Sequence, residues 1–130
     1  MTPGPLSPSI PGERQRDWPR PLDWRRSIRA AAASLPRRPR VYFEEWDEPQ
    51  ISAIRWVSEL IGIAGGDDVF PELAVQSLGR NRIIGDPLEV PRRAPDIIFG
   101  SWCGKKFNPR SVAARPGWAG VPAVRDGELH

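Results

Sequence analysis

The chain has 130 residues, enough for one domain, with sixteen prolines, twelve glycines and a formal net charge of +3. The charge is uneven. Residues 1–40 hold nine arginines against three carboxylates, a surplus of six, whereas residues 41–130 hold ten Lys and Arg against thirteen Asp and Glu, a deficit of three. This excludes a basic surface spread over the folded part, and no specific nucleic-acid partner is expected. A single Cys103 excludes an internal disulfide or a cysteine metal cluster, and His130, the only histidine, stands at the chain end, a poor place for a catalytic base.

Residues 1–22 carry six prolines, few apolar side chains and no period, so a disordered Pro/Arg-rich leader is expected there. Its start lacks the basic n-region and apolar core of an export signal, and as written the chain is expected to stay in the cytoplasm. No stretch is long and apolar enough for a membrane span. Trp18 and Trp24 sit oddly in such a polar segment. Asp23 can cap a helix over residues 23–36, built on four consecutive alanines and ended by Pro36.

An α/β unit of residues 39–130 follows. Val41, Tyr42 and Phe43 have the composition of a buried strand, placed over 41–45. Glu44 to Glu48 form an acidic turn around Trp46, and Pro49 suits the first position of a helix. Ile54, Val57, Ile61 and Ala64 recur at helical spacing before Gly65-Gly66 stops the helix. Asp67 to Arg82 is weakly patterned, and Ile83-Ile84 reads as a brief strand. Asp86-Pro87 starts a short helix that Pro91 and Pro95 limit, and residues 96–100 form a second buried strand. The loop Ser101 to Phe107 carries Trp102, Cys103, Lys105 and Lys106, and Asn108-Pro109 opens a short helix. Val121 to Val124 reads as a last strand, with Asp126-Gly127 a hairpin turn and Glu128-Leu129-His130 its return.

If strands 41–45 and 96–100 run parallel, the loops after them emerge on one sheet edge. Trp46 and Trp102 would then line one surface, with Glu45 and the neighbouring acids on one side and Lys105 on the other, suited to a large, flat, partly apolar ligand. Competing roles are a hard-cation site or acid/base pair in Glu44, Glu45, Asp47 and Glu48, better read as favouring the positive end of the next helix. Cys103 beside two lysines could be a reactive thiol, although a small buried thiol is commoner. An alternative function rests on the arginine-rich leader contacting nucleic acid or an anionic surface.

Arg40-Val-Tyr-Phe-Glu-Glu-Trp-Asp-Glu-Pro, the helix closing in Ala-Gly-Gly-Asp-Asp-Val-Phe, and Leu88 to Phe107 together resemble the carboxyl lobe of periplasmic substrate-binding proteins of the cobalamin and iron-siderophore class, especially its cobalamin-binding branch. The resemblance covers roughly residues 26–130. It implies a three-layer partial lobe with a mostly parallel sheet, no catalytic activity, no cofactor, and cobalamin or a metal chelate as ligand of Trp46, Trp102, Glu45 and Lys105. It also implies an ABC-type permease as partner and a periplasmic or cell-surface home. Residues 23–36 would be the tail of an inter-lobe helix, and the missing amino lobe suggests a truncated frame. The family's docking glutamate falls seven residues before the Pro-Asp of the later strand, which here is Leu88; Glu89 is its neighbour.

Overall fold

The computed structural model describes residues 23–130, so the expected leader lies outside the described residues, as does Trp18. Helix α1 (Asp23–Ser34) precedes the central strand β1 (Arg40–Asp47). Three strands pair with β1: β2 (Gln50–Ser52), antiparallel; β3 (Asp67–Asp68), parallel; and β4 (Ile97–Gly100), parallel. Val41 pairs with both Asp68 and Ile97, and Glu44 with both Ser52 and Gly100. A strand has two edges, so β4 lies along one and β2 and β3 share the other.

The two-residue alternation of β1 splits the core into two layers, one on each face of the sheet. Val41, Phe43, Ile97 and Phe99 face Ile28 of α1 and Val57 and Ile61 of α2 (Arg55–Ala64). Trp24 joins this layer, its ring edge-on to Phe43 at 5.5 Å and Phe99 at 5.9 Å. Tyr42 and Ile98 face the opposite way, toward Phe70, Val90, Val112, Trp118 and Val121. Those residues come from short elements: α3 (Pro71–Ala74), α4 (Glu89–Arg93), α5 (Pro109–Ala113), α6 (Pro122–Arg125) and their loops. The fold is therefore α/β in three layers with a mostly parallel sheet.

Gly65 ends α2 at φ 110°, a left-handed turn that glycine adopts without strain. Gly66 then passes so close to the sheet that a Cβ would come within 2.9 Å of Val41 Cγ2. Asn108 caps α5 by accepting the Ser111 N–H at 3.2 Å.

Three expectations are corrected. Pro49 does not begin a helix; it lies between β1 and β2, and α2 starts at Arg55. Ladder bonds to β1 and burial of Gln50 and Ser52 outweigh the helix-start signal. Residues 121–124 are not a strand, because Pro122 starts a helical turn that buries Ala123. Residues 128–130 do not return antiparallel to 121–124. After Gly127 (φ 73°) they run alongside β4 in parallel, with Ile98 N–H on Glu128 O and His130 N–H on Ile98 O, both at 2.9 Å. Ile83 contributes a single antiparallel bridge to Ile51.

Two arginines before β1 are structural. Arg38 reaches Asp67 at 2.9 Å and the Gly62 and Gly66 carbonyls. Arg37 forks onto Asp96, whose Oδ2 also accepts the Arg40 N–H at 2.7 Å. Burial alone would raise the Asp96 pKa, but the Arg37 and Arg40 bonds outweigh it and hold it below the ordinary 3.8. A carboxylate depressed in the folded state adds stability that is complete above its unfolded pKa and is lost as pH falls through the folded one. Asp96→Asn should accordingly flatten the acid limb of stability below pH 3.8. Denaturant midpoints measured for both proteins across that limb check this; an unchanged limb would contradict it.

Candidate ligand-binding rim

Since β1 and β4 run parallel and their ladder ends at the Glu44–Gly100 pair, the residues beyond that pair leave toward one edge of the sheet. Trp46 extends β1 past that pair, and Trp102 follows β4 after Ser101, whose N–H is held by Glu44 O at 2.9 Å. Between the rings lies the Lys105 ammonium, 5.0 Å from the Trp46 centroid and 5.2 Å from that of Trp102. Both separations allow cation–π attraction. Asp47 completes the seat, its Oδ2 accepting from Lys105 Nζ at 2.8 Å. Burial would raise the Asp47 pKa, yet the Lys105 bond leads the opposing effects and holds it below the usual value.

The two tryptophans are not equivalent. Trp46 is half-buried, its Nε1–H on Glu48 O at 3.1 Å. Trp102 is only 7% exposed; it packs edge-on to Phe107 at 5.0 Å and donates its indole N–H to Glu44 Oε1 at 2.9 Å. Phe107 covers Gly100 so closely that any Cβ there would overlap its ring. Trp46 is therefore the more exposed of the two rings, and Trp102 forms the floor of the rim.

Beneath the floor lies a charged network that sequence reasoning missed. Glu44 is fully buried, and Arg115 forks onto both its oxygens at 2.8 and 2.9 Å. Tyr42 donates its hydroxyl to Oε2 at 2.7 Å, and Gln50 Nε2 reaches the same oxygen at 3.4 Å. Burial first, and then the Glu44 charge, push the Tyr42 pKa well above 10, so this hydroxyl remains a donor. One signal was available. Strand alternation puts Glu44 on the same inward face as Tyr42, and a buried carboxylate requires a cation. Nothing in the sequence singled out Arg115, which is 71 residues away.

Glu45 does not join the rim. Its Oε2 accepts the Ile54 N–H at 2.7 Å at the start of α2, and its Oε1 pairs with the buried Arg82 at 2.7 Å. The four acids weighed as a cation site or acid/base pair have separate settings: Glu44 with Arg115, Glu45 with Arg82, Asp47 with Lys105, and Glu48 exposed. No group of three or more His, Cys, Asp or Glu among the described residues could hold a metal ion. Cys103 is exposed. Glu89 lies on α4, its carboxylate shared between Arg92 and Arg93 at 2.9 Å each.

Residues 25–129 match the sequence model of a family described as periplasmic binding protein. Among solved structures, the fold is similar to a possible iron-binding (periplasmic solute-binding) protein from Staphylococcus epidermidis, with a TM-score of 0.59 and 15% identity over 80% of this chain and 40% of that one. It is also similar to the periplasmic heme-binding protein RhuT from Roseiflexus sp. RS-1 (TM-score 0.54, 21% identity, 81% of this chain and 41% of that one). A third is IsdE of S. aureus complexed with heme (TM-score 0.54, 21% identity, 82% and 42%). At these identities the likeness is one of fold, and the chain spans about 40% of the length of these structures. A search of curated proteins gave no match.

Proposed function

Because the chain belongs to the periplasmic binding protein family, whose members bind solutes and are not enzymes, we propose that its rim takes a large, flat metal chelate, cobalamin foremost, for uptake through an ABC-type permease. The observation that carries this reading is the meeting of Trp46, Trp102 and Lys105 beyond the end of the β1–β4 ladder. A partly exposed indole suits stacking on a conjugated macrocycle, and an ammonium beside it suits the amide, carboxylate or phosphate groups at that macrocycle's edge. The heme named for two of the structurally similar proteins is of the same chemical class. Such a protein would act in the periplasm or at the cell surface. Glu89 is the residue proposed to meet the permease, in a contact that must share its carboxylate with Arg92 and Arg93.

The described residues present one face, so affinity should be weaker than in a site that encloses its ligand on both sides. Titration with cyanocobalamin and with hemin, followed by quenching of tryptophan fluorescence, tests the proposal. Saturable binding of either is expected, and Trp46→Ala should weaken it about tenfold, the equivalent of ~1.4 kcal/mol of lost stacking. Saturation by neither compound, or full affinity in the Trp46 variant, would sink it.

A further inference from the structure

We propose that Glu44 and Arg115 are positioning residues for the rim: without reaching the ligand, they fix the plane of the Trp102 indole and so the seat of Lys105. This rests on the ligand reading above. An indole has one polar atom, and that of Trp102 is committed to Glu44 Oε1. Any rotation of the ring would leave both a buried N–H and a buried carboxylate short of a partner.

The carboxylate is itself held from three other directions: by Tyr42 on its own strand, by Gln50 on β2, and by the Arg115 fork. Arg115 in turn lies with its guanidinium carbon 4.7 Å from the Trp118 ring centre, which limits its freedom to swing. The indole is thus set before any ligand arrives, with Phe107 closing in from another direction. A rim fixed in advance spends less binding energy on ordering itself.

A pair that merely stapled the core would change stability and nothing particular to Trp102. Two variants of the full chain separate the roles: Glu44→Gln, and the combined Glu44→Gln with Arg115→Met, which leaves no lone buried charge if the first fails to fold. Without ligand, the Trp102 indole 1H–15N resonance, assigned by its loss in Trp102→Phe, should move upfield more than any other indole signal, because a neutral acceptor replaces a charged one. Cyanocobalamin affinity should fall about tenfold, as when outer-shell partners of a binding group are removed elsewhere. In a Trp102→Phe background the same Glu44→Gln change should cost nothing further. An unmoved Trp102 resonance, or additive losses in affinity, would overturn the positioning role. If the unaltered chain binds no probe, the ligand reading falls, while the ligand-free resonances still decide whether the pair sets the indole.

Discussion

Glu44→Ala is expected to lower the unfolding free energy by about 3–5 kcal/mol, a large share of the 5–15 kcal/mol typical of a domain. The carboxylate is fully buried and accepts from Tyr42, Gln50, Trp102 and Arg115. Removing it strands an Arg115 guanidinium whose side chain is only 17% exposed, together with the Tyr42 hydroxyl and the Trp102 N–H. Truncation therefore loses more than the net worth of the pair, because its partners remain buried without it. Replacing both charges, Glu44 by Gln and Arg115 by Met, should be markedly milder than Glu44→Ala, since no lone charge remains. Urea midpoints at constant m-value measure both. A Glu44→Ala loss under about 1 kcal/mol would mean that water screens the pair, as it does surface ion pairs.

Arg82→Ala should cost a similar amount, about 3–5 kcal/mol, through a different part of the fold. Arg82 is only 3% exposed, and its guanidinium donates to Ser52 O at 3.1 Å, Gln76 O at 2.9 Å, Ser77 O at 3.1 Å and Glu45 Oε1 at 2.7 Å. One side chain thus ties β2 and the loop after α3 to Glu45 on β1, whose other oxygen holds the start of α2. Without it, three carbonyls and a half-buried carboxylate lose their donor. Hydrogen exchange should accelerate first across residues 74–84, where few other bonds hold the chain. Arg82→Lys should recover only part of the loss, because an ammonium cannot reproduce the planar fork. Exchange that rises evenly over the whole chain would contradict this local role.

Much of the frame was legible because it rests on local periodicity. Val41 to Phe43 and Ile97 to Phe99 are apolar runs buried in β1 and β4, and Val57, Ile61 and Ala64 mark the inner stripe of α2. Gly65 and Asn108-Pro109 carried reliable stop and start signals. Local signals failed where a distant partner decided the outcome. Pro49 read as a helix start and residues 121–124 as a strand, yet Pro49 precedes a strand paired to β1 and Pro122 opens a helical turn. The direction of residues 128–130 depended on β4, some thirty positions earlier.

By itself, the sequence determined the two buried strands, the helix that follows the first, and the nearness of two tryptophans once those strands are parallel. Alternation and helical spacing specify which side of an element is apolar, and that suffices for these. Only the tertiary structure decided that Trp102 is buried as a floor while Trp46 stays partly exposed, that Glu45 serves Arg82 and α2, and that Arg115 neutralises Glu44. A side chain's partner depends on chain segments brought beside it by folding, and no local period encodes that choice.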